Sequence, residues 1–235
     1  MKHIRGYAVI PFVVQTLFWP FVAPLFYIFG RLTVVNYALL KSLKEPVIIV
    51  ANHPNQIDPF VIRAALPWIS RRSPMFWLSR DRKTYGWTGW RKYIFTDAAF
   101  LAVGAPVAPS GLKDYSKSLK THVRVVYDGY DFNFFPQAGA ERFLGNEAPI
   151  HGGVAYLTHA TGAPIIVTAI LGTKGLTIPR MLMRKHTIKV IFGEMVSADS
   201  LNLMMDSEVT VDEYKDAARI IMSKVHDLKQ HYENS

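Results

Sequence analysis

The chain of 235 residues has no cysteine at all. Disulfides, thiolate nucleophiles and thiolate metal sites are excluded at once, and the redox compartment is left unspecified. No Asn-x-Ser/Thr acceptor occurs, so nothing marks the chain for N-glycosylation. No Gly-x-Ser-x-Gly is present, which removes the strained serine elbow of an esterase. The His-Glu-x-x-His spacing of a zinc helix is missing too; His122, His159, His186 and His226 fall in periodic or strand-like contexts, and no metal is assigned. Acids are in the minority, 18 against 27 Lys and Arg, for a net charge of +9. That balance favours anionic partners, and with 50% apolar and 13% aromatic residues a phospholipid surface fits at least as well as nucleic acid. The length suits one full hydrophobic core.

Charge is missing altogether from Tyr7 to Gly30, with Lys2 and Arg5 before the stretch and Arg31 after it. A spanning helix needs about 20 apolar residues. A secretory signal would be shorter and end at small residues, which this run lacks. Pro11, Pro20 and Pro24 interrupt a straight helix, leaving a kinked span or a helical hairpin dipping into one leaflet. The soluble counterpart is a buried pair of core helices.

The most informative stretch is Pro46 to Phe60. Val47, Ile48, Ile49 and Val50 form an unbroken β-branched run, as in a strand covered on both faces. Asn52 and Pro54 end it. Asp58-Pro59 reads as a helix start, with Asp58 at the N-cap, Pro59 at the first helical position and Phe60, Val61, Ala64 and Ala65 on the inner face. His53 then sits on a tight loop with a carboxylate at the following helix. A neutral imidazole can take a proton from an attacking group while the carboxylate fixes its tautomer and steadies the imidazolium.

Asn52-His53-x4-Asp58 after an apolar strand resembles the first motif of the glycerolipid acyltransferases, the 1-acylglycerol-3-phosphate acyltransferase family. The resemblance runs from about residue 45 to 195 and makes His53 and Asp58 the catalytic pair, with Asn52 beside them as a substrate contact. Phe100 to Val107 is similar to the second motif, where a Gly and a short apolar strand lead to a phosphate-holding Arg; here Ala108-Pro109 stands in its place. Either Lys113, Arg80 or Arg82 substitutes, or the acceptor carries a different head group. Asp131 to Arg142 resembles the third motif, with Gln137 where the family has an acid and two extra residues before Glu141-Arg142. Glu141 fills the acid role through a shifted loop, or Gln137 binds the acceptor without charge. Gly139 frees the backbone there, and the Arg142 fork matches phosphate. His151-Gly152-Gly153 is similar to the family's Lys-x-Gly and also to an esterase oxyanion loop. Gly162 to Gly172 resembles the fourth motif, a buried strand with Thr168 where the family tends to carry Pro.

Other segments fix the frame. Residues 63–92 hold eight Lys or Arg against one acid, with four of the five tryptophans, a mixture suited to lipid headgroups. The same interleaving describes a single-strand nucleic-acid groove, but no recognition signature accompanies it. Pro74 to Leu78 and Thr187 to Phe192 read as strands. Leu112 to Tyr127 reads as a core-packed helix, and Thr210-x-x-Glu213 caps a closing amphipathic helix with Val211, Tyr214, Ala218, Ile221, Val225 and Leu228 inward.

The alternation of elements predicts an α/β fold: a mixed, largely parallel sheet flanked by helices, with a membrane-associated helical segment over residues 1–40 and the α/β domain over 41–235. What the resemblance implies is acyl transfer from acyl-CoA or acyl-carrier protein to the hydroxyl of a lyso-glycerolipid, 1-acylglycerol-3-phosphate first, in phospholipid synthesis. No cofactor is implied beyond that co-substrate. The expected partners are the phospholipid bilayer, the lyso-glycerolipid and the acyl donor, and not nucleic acid. The site is expected at the cytoplasmic face of a membrane. Alternatives are an inactive scaffold at the membrane surface or an acceptor without phosphate.

Overall fold

The structure, a computed structural model, describes residues 4–80, 89, 93, 96–109, 114–137, 148–203 and 208–234, with Arg80 by its backbone alone. The uncharged N-terminal stretch forms helix α1 (Gly6–Pro24), which widens into a π-helical turn at Leu25–Phe29. The hairpin alternative gives way to a single helix of 24 residues, Gly6–Phe29, apolar and long enough to cross a bilayer by length and composition. Pro11 and Pro20 are accommodated inside it, and Pro24 sits where the winding changes. Next come strand β1 (Thr33–Val35) and helix α2 (Tyr37–Ser42). β1 pairs with residues 189–191, so this part of residues 1–40 is already sheet.

The β-branched run becomes β2 (Ile48–Ala51), with every residue buried. Helix α3 (Asp58–Ala64) follows, then the short strands β3 (Phe76–Trp77) and β4 (Ser79–Arg80). Residues 100–103, expected to lead into a strand, belong instead to helix α4 (Asp97–Val103). The Thr96 hydroxyl caps that helix by accepting from the Ala99 amide, and Gly104 ends it at φ 94°. Helix formers behind a good cap prevail there, and only β5 (Val107–Ala108) is extended. The helix predicted over 112–127 is divided at Leu119 into α5 (Tyr115–Ser118) and α6 (Lys120–Tyr127), and its packing role stands, with Leu119 and Val126 buried. The chain closes with β6 (Phe132–Phe134), α7 (Gly153–Thr161), β7 (Ile165–Leu171), α8 (Ile178–Leu182), β8 (Lys189–Val196) and α9 (Val211–Glu233). Thr210 and Glu213 form the predicted capping box, and Tyr214, Ala218, Ile221 and Val225 turn inward. Val211 is exposed, because it precedes the first packed turn.

Six strands make one sheet in the order β1-β8-β7-β2-β6-β3, while β4 and β5 pair separately. All the pairings are parallel except β7 with β8, so the predicted mixed, largely parallel sheet is what the chain forms. Side chains alternate across β2. Ile48 and Val50 join the layer under α6, α7 and α9, and Ile49 and Ala51 join the layer under α2 and α3. A strand buried on both faces needs this unbroken apolar pattern.

Two buried polar clamps hold the frame together. Arg72 donates from Nη1 to both oxygens of Asp131, at 2.8 and 2.7 Å, while its remaining donors reach the carbonyls of Leu40 and Leu43. Asp131 also accepts from the Val47 amide at 3.0 Å, joining the entrances of β2 and β6. Gln15 of α1 is 6% exposed, donates to the carbonyls of Met75 and Val103, and accepts from the Met75 amide at 3.0 Å. Its amide thus serves in place of a partner strand at the outer edge of the sheet, where β3 has β6 as its one strand neighbour among the described residues.

Asp131→Ala leaves a guanidinium buried without its counter-charge, and the expected loss is about 3–5 kcal/mol, read from the denaturant midpoint. His122 offers a second test. It is fully buried and bonded through Nε2 to the Pro106 carbonyl at 3.2 Å. Burial lowers its pKa to about 4. The unfolded chain therefore takes up this proton first, so stability is fully present above about pH 6.5 and declines as pH falls toward 4. His122→Asn should flatten that decline in acid-unfolding curves.

Candidate active site

β2 ends at the centre of the sheet, between β6 and β7, and the polar residues that stop it build the site. Asn52 was expected to meet substrate. Instead it is fully buried and exchanges two hydrogen bonds with the backbone of Ile170, at 2.9 and 2.8 Å, carrying the β2–β7 ladder one step further by its side chain.

His53 and Asp58 face each other. Nδ1 of His53 lies 2.9 Å from Oδ2 of Asp58, with the carboxylate fully buried and the imidazole 14% exposed. A carboxylate accepts only, so Nδ1 carries the proton and Nε2 becomes the basic nitrogen of the ring. The ring also stacks on Phe135, centroids 4.2 Å apart and planes 23° apart, which fixes its tilt. Asp58 is not the N-cap. It is the first helical residue, because its Oδ2 turns back to accept from the Asn55 amide at 2.7 Å. Ile57 takes the cap position, and Pro59 falls in the first turn.

Asn55, which the pattern gave no role, fastens this loop. Its side-chain Nδ2 donates to the carbonyls of Thr173 and Leu176, at 2.8 and 2.9 Å. The only local signal was its membership of a polar, proline-bounded cluster, since both partners lie more than a hundred residues away in sequence. Phe135 was likewise hidden inside an apolar run.

Gln137 leaves β6 at the same end of the sheet. It is 1% exposed, and neither amide atom has a hydrogen-bond partner among the described residues. A buried amide with its donors and acceptor unanswered is costly, which marks the position for attention. The other expected substrate contacts, Gly139, Glu141 and Arg142, lie outside the described residues, as do Arg82, Lys113 and the side chain of Arg80. Ala108, at the position of the missing Arg, lies in β5 beside β4. His151-Gly152-Gly153 serves packing: a Cβ on Gly152 would approach the Tyr214 backbone to 2.8 Å, so the glycine lets α7 and α9 meet. Thr168 is buried in β7 beside a register shift, its hydroxyl bonded to the Ile166 carbonyl.

Beside α3 runs an apolar groove of about 200 Å³, walled by Val14, Phe18 and Val22 of α1, Phe60 and Ala64 of α3, and Trp77. Phe60, on the helix that Asp58 opens, packs edge-on against Trp77 in the groove wall, with ring centroids 5.7 Å apart. Trp77 is buried, and Trp68 is held to α1, stacked on Trp19 and donating to the Thr16 carbonyl. Arg63 and Arg72 are buried as well. The basic and aromatic stretch is therefore partly framework; Trp87 and Trp90 lie outside the described residues. Burial lowers the pKa of Arg63 to about 10, and its guanidinium donates to the carbonyls of Pro67 and Trp68.

Comparison with known proteins agrees with this geometry. The family described as Acyltransferase matches residues 31–171, more than half of the chain, and the chain belongs to that family. Among solved structures it is similar to the 1-acyl-sn-glycerophosphate (LPA) acyltransferase PlsC of Thermotoga maritima. The TM-score is 0.53 at 13% identity, covering 92% of this chain and 95% of that one. At that identity the likeness is one of fold. No curated protein matches.

Asn55→Ala removes two side-chain bonds that tie the loop to the β7–α8 connection. The expected cost is about 2 kcal/mol in thermal unfolding, with faster amide exchange confined to residues 53–58.

Proposed function

We propose that this member of the acyltransferase family moves a fatty acyl group from a thioester, acyl-CoA or acyl-carrier protein, to the hydroxyl of a lyso-glycerolipid at a membrane surface, with 1-acylglycerol-3-phosphate as the first candidate. The observation that carries the reading is the 2.9 Å contact between His53 Nδ1 and a fully buried Asp58, at the end of the central strand. Nε2 of His53 takes the acceptor's hydroxyl proton, and the oxygen attacks the thioester carbonyl. The tetrahedral adduct collapses, the carbon–sulfur bond breaks, and the leaving thiolate recovers the proton from the imidazolium. Asp58 offsets the ring's transient charge. Direct transfer needs no protein nucleophile, in keeping with a chain without cysteine.

The apolar groove beside α3 suits the fatty chain, since its walls are almost wholly hydrocarbon and include Phe60 and Ala64 of the helix that Asp58 opens. The outer face of α1 exposes Ile10, Leu17, Phe18, Phe21 and Ile28. Burying that face in lipid, with the site toward the cytoplasm where thioester donors are made, would let an acceptor reach His53 from the bilayer. A second acceptor class has two observations in its favour. Gln137 offers a neutral amide where an acid is expected, and Ala108 stands where an Arg is expected, so an acceptor without phosphate fits the described residues equally well.

The test is transfer of a labelled acyl group from acyl-CoA by purified protein in detergent, to lysophosphatidic acid and to monoacylglycerol in parallel. Asp58→Asn keeps an oxygen facing the Asn55 amide but removes the charge, and turnover should drop roughly 10²- to 10⁴-fold. His53→Ala should abolish it; transfer that survives His53→Ala overturns the mechanism. A preference for monoacylglycerol would assign the acceptor to the second class.

A further inference from the structure

The connection between β7 and β8 lies beyond residues 31–171, which the family match covers, and the chemistry described above does not use it. With the first residues of β8, from Gly172 to Gly193, it contains no acid and five cations, Lys174, Arg180, Arg184 and Lys185 in the connection and Lys189 at the start of β8. None of the five has a carboxylate partner among the described residues. Between them, Ile178, Leu182 and Met183 stand 69%, 47% and 56% exposed. The segment is nevertheless firmly seated. Met181 and Leu176 are buried in the layer under α3, and the Leu176 and Thr173 carbonyls receive Asn55.

Its far end meets the end of the apolar helix. The Ile188 amide donates to the Gly30 carbonyl, and the Thr33 amide donates to that of Ile188. The end of the apolar helix, where Leu25, Tyr27 and Ile28 are exposed, is thus tied by hydrogen bonds to the end of the connection that carries α8, with Arg31 exposed at the join. Large apolar side chains alternating with unpaired cations are costly on a water-facing surface. They suit an anionic bilayer, where the apolar groups enter the acyl boundary and the cations meet phosphate. A protein partner of matching shape would call for acids opposite the cations and a pocket for each apolar side chain. A phospholipid surface supplies both in fluid form.

We propose that the α8 segment is a second membrane-contact element, seated on anionic phospholipid beside α1, and that through Asn55 it sets the height of the His53 loop above the bilayer. This rests on the reading of a membrane-surface enzyme and adds to it which segment, other than α1, touches lipid and which lipids it prefers.

The absence of cysteine makes the test direct. Single cysteines replace Leu182 in α8 or Met183 just after it, Phe21 in α1 and the exposed Ser223 in α9, and each carries an environment-sensitive fluorophore. The full chain is reconstituted on phosphatidylglycerol-rich vesicles and on phosphatidylcholine vesicles. On the anionic vesicles the labels at 182 and 183 should shift to the blue as the one at 21 does, and the label at 223 should not move. Replacing Arg180, Arg184 and Lys185 together by Gln should weaken binding to the anionic vesicles by roughly tenfold or more, with little change on phosphatidylcholine. A shift at 21 with none at 182 and 183 overturns the inference while leaving the role of α1 intact. A shift at 182 that needs no lipid and grows with protein concentration overturns it too, since contact between copies then covers α8. Equal response to both lipids removes the cations from the account.

Discussion

One carboxylate oxygen organises this protein's candidate chemistry. Oδ2 of Asp58 gathers the His53 ring and the Asn55 amide, and Asn55 in turn grips the turn after β7. A loop made of His, Pro, Asn and Gln at the end of a buried strand would otherwise have many conformations. Fixing it costs backbone entropy at each residue, and the converging hydrogen bonds offset that cost. The imidazole is aligned twice over, by the carboxylate at one edge and by Phe135 on its face. Such preorganisation belongs on rigid elements, and β2, flanked by β6 and β7, is buried along its whole length.

The sequence made legible what depends on short-range pattern. The β-branched run at 47–50, the capping box at Thr210 and the spacing of apolar residues behind it each carry their own signal, and the fold forms them where expected. The His53 and Asp58 pairing was readable through the resemblance of Asn52-His53-x4-Asp58 to a family motif, since the spacing by itself is a weak signal, and the two side chains do meet. Interactions that close across the chain stayed hidden. Nothing near Asn52 announces that its amide would extend a ladder to Ile170, and nothing near Asn55 points to Thr173. Arg72 looked like one more surface cation in a basic stretch, yet it is the inner half of a buried ion pair with Asp131. Composition reports charge and not burial, so the two kinds of arginine look alike until the fold separates them. The α4 helix was missed on a different ground: Phe100 to Val103 suits strand or helix, and the cap at Thr96 decides.

The N-terminal segment shows the limit of hydropathy most plainly. An uncharged run of that length fits a span, a re-entrant hairpin or a core helix. Its single continuous helix has two unlike faces. Ala8, Pro11, Gln15 and Ala23 pack inward, while Val9, Ile10, Val13, Leu17 and Phe21 are exposed. One polar side chain, Gln15, marks the inward face, and its bonds to both backbone groups of Met75 tie the helix to the domain.

Those bonds bear on how the protein can be handled. Removing the N-terminal helix is the usual route to a water-soluble form of a membrane-surface enzyme. Here the cut would uncover the amide and carbonyl of Met75 on an apolar outer strand, a template for pairing with the same strand of another molecule. On the membrane-surface reading proposed above, the shortened protein would exchange affinity for lipid for affinity for itself. A soluble version is better made by repainting the outward face of the helix with polar side chains and leaving Gln15 where it is.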